Sequence, residues 1–262
     1  MRSLLGKAAL GNAAWTLTKA YYPNKRLILS AAPLGLDFKT DGTKSFIALA
    51  TSVLQYSLST AWDISTSSYD SVSVSVGSQC MDIALKTDGT KMYILFDSAL
   101  VKQFSLTAWD LSTAADDLVS LDASGQITNP RGVAFKTDGT KLYVGGFTPG
   151  RIFQYSMTAW DLSTATYDSV SSPLLQGGGA GGLAFKTDGT KIFYYGTDTG
   201  FLYQYSLSTA WDISTASYDD ISFYVGTQSA AIAGLKIKSD GASLYRASAQ
   251  NAPLAFISQY SL

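Results

Sequence analysis

The chain has 262 residues, with 19 basic against 20 acidic side chains, a net charge of −1 and 46% apolar residues. That is enough apolar material for a core, with no basic surplus to mark a nucleic-acid binder. There is no histidine, and all 20 acidic residues are aspartate. The commonest general base and half of the usual catalytic carboxylates are therefore missing, which removes Ser-His-Asp and Cys-His arrangements and histidine-based zinc sites.

Residues 1–14 (MRSLLGKAALGNAA) precede the regular part of the chain. Their apolar run is broken by Lys7 and is too short to span a bilayer, so it makes a poor signal peptide and no membrane insertion is expected. They read either as a flexible terminus or as an anchoring arm that docks Leu4, Leu5 and Leu10 on another subunit.

From residue 15 the chain repeats itself. LDFKTDGTK (36–44), IALKTDGTK (83–91), VAFKTDGTK (133–141), LAFKTDGTK (183–191) and LKIKSDGAS (235–243) place their turn aspartates at 41, 88, 138, 188 and 240, in steps of 47, 50, 50 and 52. A second phrase follows the first four: YSLSTAWDIST (56–66), FSLTAWDLST (104–113), YSMTAWDLST (155–164) and YSLSTAWDIST (205–215). The fifth copy stops at QYSL (259–262), and its missing half stands at the other end of the chain as AAWTLT (13–18). Repetition at such a period marks architecture.

Each unit reads as four short strands. In the third, GVAF and KLYV alternate in polarity around an Asp-Gly reversal, whose glycine accepts the positive φ that tight hairpins need. IFQYSM follows, then TAWDLST and the more polar TYDSVSS. No stretch of 11 or more residues after the arm has helical periodicity. Five four-stranded units predict an all-β, five-bladed β-propeller over 15–262, with residues 1–14 outside it. A linear solenoid would need polar caps at both ends. The split fifth unit favours a ring instead, closed by a strand at about 20–30 that joins the three near 233–262. All five tryptophans, Trp15, Trp62, Trp109, Trp160 and Trp211, fall in the second phrase and read as blade anchors, although a sugar-stacking platform is the functional alternative.

Only an all-aspartate calcium or magnesium site is left by the composition. Ten of the 20 aspartates already have architectural places: five in the Asp-Gly turns, Asp63, Asp110, Asp161 and Asp212 in TAWD, and Asp37 in an inner strand. No catalytic residue, metal or cofactor is therefore expected. GGGAGG (177–182) lacks the following helix and Lys-Ser/Thr pair of a phosphate loop and reads as a connection between blades. Cys80 is the only cysteine, which precludes an internal disulfide and suits a buried thiol.

Function is then sought where the copies differ. The connection into each inner strand and the loop between the second and third strands should share one face. There the copies carry Asp82 (glycine in the other four units), Asp97, Arg131, Phe147, Arg151 and Asp198, together with the longer SAQNAP (248–253). These form a candidate rim for a ligand or partner, against the alternative of ordinary solvated loop variation.

The units FKTDGTKLYVGG…IFQYSMTAWDLSTATYDSVS resemble the repeats of uncharacterised β-propeller proteins in bacteriophage and environmental viral sequences, over about 13–262. More distantly they are similar to YVTN-type propeller repeats of bacterial surface and lactonase-like proteins. The resemblance implies a non-enzymatic, virion-associated protein used in tail or capsid decoration or host attachment, on a virion surface or outside the cell. Its partners would be other virion proteins, reached through the arm, and a host surface glycan. The lactonase-like relatives form seven-bladed rings and lean on residue types this chain lacks, so their activity is not implied. The alternative is a free lectin-like propeller with repeat-equivalent pockets between blades, lined by tryptophan and tyrosine.

Overall fold

A computed structural model describes residues 15–173, 175–196, 198–226, 232–248 and 255–262. Leu4, Leu5 and Leu10, and the loop at 249–254, lie outside the described residues.

Among the described residues, twenty strands form five four-stranded antiparallel sheets. The first blade contains β2 (Gly35–Phe38), β3 (Lys44–Ala48), β4 (Ser52–Leu58) and β5 (Ser67–Ser75), from the axis outward. The second contains β6 (Cys80–Leu85), β7 (Lys91–Phe96), β8 (Leu100–Thr107) and β9 (Asp110–Asp122). The third contains β10 (Pro130–Phe135), β11 (Lys141–Gly146), β12 (Ile152–Ser156) and β13 (Thr166–Ser171). The fourth contains β14 (Ala180–Phe185), β15 (Lys191–Gly196), β16 (Phe201–Leu207) and β17 (Ala216–Tyr224). The fifth is β18 (Ile232–Ile237), β19 (Ser243–Ser248) and β20 (Phe256–Ser261), completed outside by β1 (Tyr21–Ile28). β1 pairs antiparallel with β20, Leu27 opposite Ile257, and β18 packs beside β2. The chain is thus the expected five-bladed propeller, and the solenoid alternative is overturned by closure.

The Asp-Gly reversals differ in detail from a two-residue hairpin turn. Only the glycine has positive φ, 73–75° in all five copies, and its N–H donates to the lysine carbonyl three residues back (Gly42 to Lys39, 2.8 Å). Asp41 Oδ1 accepts from the Thr43 amide (2.9 Å) and hydroxyl (2.6 Å), holding the loop from inside.

Each tryptophan completes this turn. All five have left-handed φ, 62–67°, a conformation costly for a bulky residue. Three contacts hold them there. The backbone N–H donates to the carbonyl of the turn glycine (Trp160 to Gly139, 3.0 Å), and the indole lies flat on that glycine. The third comes from the preceding blade: Tyr93 Oη donates to the Trp160 carbonyl at 2.7 Å, Tyr143 to Trp211 at 2.7 Å and Tyr245 to Trp62 at 2.6 Å. Phe46 and Phe193 replace the tyrosine in the other two blades and meet Trp109 and Trp15 ring to ring. Each tryptophan thus ties the turn of its own blade to the preceding one.

Apolar clusters fill the spaces between successive blades. A polar lock crosses every one of these interfaces. Gln55, Gln103, Gln154, Gln204 and Gln259, in the third strands, accept from the backbone N–H of Leu111, Leu162, Ile213, Leu17 and Ile64 of the next blade at 3.0, 3.2, 3.5, 3.2 and 3.1 Å. In four of them the amide nitrogen donates to an outer-strand carboxylate of its own blade, Gln103 to Asp117 at 2.7 Å for example. Gln103→Ala leaves the buried Leu162 N–H without its acceptor, and we expect a loss of about 1–3 kcal/mol in urea unfolding. A change within a few tenths of a kcal/mol of zero would show that water replaces the lock at no cost.

Candidate functional site

Strand parity decides what reaches the axis. Along each inner strand alternate residues face the centre, in two successive tiers. The first tier is Gly35, Asp82, Gly132, Gly182 and Gly234; the second is Asp37, Ala84, Ala134, Ala184 and Lys236. Space is short in the first tier, where a Cβ on Gly234 would lie 2.7 Å from the Cα of Gly35. The inner strands converge tightly there. Toward the Asp-Gly face they diverge around a cavity of about 280 Å³ lined from all five blades. Its walls include Ala84, Ala134 and Ala184, and its collar is formed by the tryptophans with Phe38, Phe135 and Phe185.

Three charged-type side chains break the five-fold pattern inside. Lys236 Nζ lies 2.7 Å from Asp37 Oδ1, which also accepts from the Phe38 amide at 2.7 Å. Asp37 Oδ2 accepts from the Leu85 amide of the next blade at 2.8 Å. Asp82 repeats this arrangement one blade on: Oδ1 accepts from Ile83 N–H (2.9 Å) and Oδ2 from Val133 N–H (3.0 Å). Burial pushes the Asp82 carboxyl well above the usual range, against the two amide bonds that favour its charged form. At the mouth, Lys86, Lys136 and Lys186 pair with Asp88, Asp138 and Asp188 at 2.8, 2.9 and 2.7 Å. Their slight burial disfavours the charged carboxylates. The bonds from Lys86 and Thr90 to Asp88, and from Lys186 and Thr190 to Asp188, outweigh it and hold both at about 2.

The sign of the Asp82 effect can be tested. A carboxyl raised in the folded state stabilises most below its unfolded value, about 3.9, and that contribution is lost as pH rises from there through the raised folded value. Asp82→Asn cannot ionise. Whatever offset the substitution brings, its Tm relative to the parent should increase from pH 4 to pH 7. A pH-independent difference would mean that Asp82 is an ordinary ionised carboxylate.

The rim expected from loop variation is partly assembled. The Arg131 guanidinium sits 4.6 Å over the Phe147 ring and donates to the Pro130 carbonyl at 3.0 Å. Burial lowers its pKa, and the charge of Asp97 opposes that shift. So Asp97, Arg131 and Phe147 come together on the loop face, between the second and third blades. Arg151 instead donates to the carbonyl of Ser172 at the end of its own blade. Asp198 lies over Gly178, its N–H donating to the Gly177 carbonyl at 3.1 Å. Asp82 corrects the expectation most clearly: at 3% exposure it belongs to the axis. The cavity also reaches the face opposite the rim, the one built from repeated residues. Sequence reasoning passed over Lys236 and assigned Asp37 to architecture. The signal was the tier reading Asp, Ala, Ala, Ala, Lys where three copies agree on alanine.

Cys80 is buried, and burial raises its thiol pKa. Among the described residues no three aspartate or cysteine side chains converge as metal ligands.

No family model matches the chain, and no curated protein matches it. Solved structures are similar in fold. A candidate 6-phosphogluconolactonase from Bacteroides uniformis ATCC 8492 is 15% identical, with a TM-score of 0.53 over 89% of this chain and 74% of its own. A functionally unknown protein from Desulfotomaculum acetoxidans DSM 771 is 9% identical, with a TM-score of 0.55 over 88% and 70%. A candidate 6-phosphogluconolactonase from Bacteroides fragilis NCTC 9343 is 12% identical, with a TM-score of 0.53 over 82% and 63%. At these identities the likeness is one of fold alone.

Proposed function

We propose that the chain is a non-catalytic attachment module of a virion surface, a rigid ring that presents a binding site while residues 1–14 contact neighbouring virion proteins. The observation that carries this reading is the use made of the repeated polar residues. The third-strand glutamines cross to the next blade, the TAWD aspartates cap the short turns that follow them (Asp161 Oδ1 to Ser163 N–H, 3.1 Å), and three neighbour-facing tyrosine hydroxyls are bonded to tryptophan carbonyls. The repeat builds a stiff platform.

The lactonase names of two similar structures belong to those proteins. In this chain the carboxylates nearest the cavity are engaged: Asp37 by Lys236 and two amides, Asp82 by two amides. That arrangement supports a binding role over acid–base chemistry. Carbohydrate recognition is the second reading, and the axial cavity moves it from between the blades, where tryptophan and tyrosine pack against each other, to the centre of the ring.

Sedimentation of the protein from its native source on a sucrose gradient, followed by antibody, tests the attachment reading. It should run with large particles, and deletion of residues 1–14 should release it. Migration as a free monomer would sink the proposal.

A further inference from the structure

We infer that the axial cavity is a receptor site for a single acidic monosaccharide, a hydroxyl-bearing ring with one carboxylate, anchored by Lys236. The inference rests on the attachment reading for its biological setting and on the cavity for its chemistry.

The polarity inside the ring is directional. The Lys236 side chain is 38% exposed and that of its partner Asp37 only 4%. Asp37 is consumed from behind by two backbone amides. Its bond to Lys236 engages one of the three donors an ammonium carries. Both residues line the cavity, and the ammonium is the more open of the two. The mouth follows the same order: the side chains of Lys86, Lys136 and Lys186 are 25–27% exposed, and those of the paired aspartates 48–51%. The three lysines belong to the cavity lining, and their aspartate partners are outside it. Asp82 is turned into the strand backbone, each of its carboxyl oxygens accepting from an amide, Ile83 N–H at 2.9 Å and Val133 N–H at 3.0 Å. An anionic group is the complement of such an interior.

The rest of the lining narrows the class. Small-molecule sites span roughly 300–1,000 Å³. A cavity of about 280 Å³ accommodates one sugar ring and no chain. Alanine walls and an aromatic collar suit the apolar C–H face of a pyranose, and Thr87, Thr137, Thr187 and Ser239 offer hydroxyls that both donate and accept. A bare inorganic anion would leave the apolar walls unused. Because only one inner strand carries lysine at the second tier, the ring has one anchor and takes one ligand, in contrast to five equivalent interblade pockets.

Titration calorimetry on the full chain at low salt, with glucuronate, glucose and inorganic phosphate as probes, tests this. Glucuronate should bind one per ring, with glucose at least about ten-fold weaker and Lys236→Met weakening glucuronate by a similar factor. Lys236→Met also strips a buried carboxylate of its partner, so Ala134→Leu provides an independent variant. It fills the opposite wall without touching the charge pair, and should abolish binding at unchanged Tm. Phosphate binding as tight as glucuronate, five sites per ring, or glucuronate binding that survives both substitutions overturns the inference. A protein that sediments with particles yet binds no glucuronate at millimolar concentration overturns the cavity assignment and leaves attachment standing. Glucuronate binding by a free monomer does the reverse.

Discussion

Trp160→Ala should destabilise the propeller by about 3–5 kcal/mol. The indole stacks on Phe135 at 5.3 Å and 26°, lies 6.1 Å from the Tyr93 ring, and covers Gly139. Fully burying an indole removes roughly 150–250 Å² from water, on the order of 4–6 kcal/mol at ~25 cal/mol/Å² as an upper bound. Trp160 is only partly buried, which keeps the expected loss below the top of that range. Alanine would also inherit the left-handed backbone, φ 62°, without the ring contacts that compensate it. Urea unfolding measures the loss directly. A change below about 1 kcal/mol would mean that the aromatic collar is decorative and the glutamine lock alone holds the blades.

Gly139→Ala approaches the same contact from the other side and should cost about 2–5 kcal/mol. The glycine is required twice. Its φ of 74° is the left-handed region, and a Cβ there would lie 2.4 Å from Trp160 ring atoms. The two substitutions share one volume and cannot be independent. In the double variant the new methyl enters space the indole has left, so the combined loss should fall short of the sum by about 1–3 kcal/mol. Simple additivity would show that turn and indole are not in contact, and with it would go the explanation of why Asp-Gly and Ala-Trp occur together in every repeat.

Much of the scaffold was readable because the chain spells it five times. The period gave the number of blades, the alternating runs their strands, and QYSL at one end with AAWTLT at the other the manner of closure. What could not be read was which atoms the repeated polar residues touch. Gln103 stands in every copy as the first letter of QYS or QFS, but its partner, the Leu162 amide, is 59 positions away in the next blade. A repeat unit shows its own contents and not its neighbour's. The left-handed tryptophans were likewise invisible, since a bulky residue is the last choice for positive φ. They become intelligible only once the turn glycine and the preceding blade's tyrosine are seen to hold them.

The candidate site divides along the same line. Variation among loops singled out Asp97, Arg131 and Phe147, which lie near one another because loops on one face of a blade follow from antiparallel connectivity. It misplaced Asp82, because one step in strand parity separates an exposed rim from a buried axis. Asp37 and Lys236 sit near opposite ends of the chain and meet at 2.7 Å only because closure brings the first and fifth blades side by side. The sequence by itself determined the unit, its count and the ring. Tertiary structure alone decided that the ring encloses a cavity and that Lys236 is the more open member of the ion pair inside it, since both depend on where five inner strands converge.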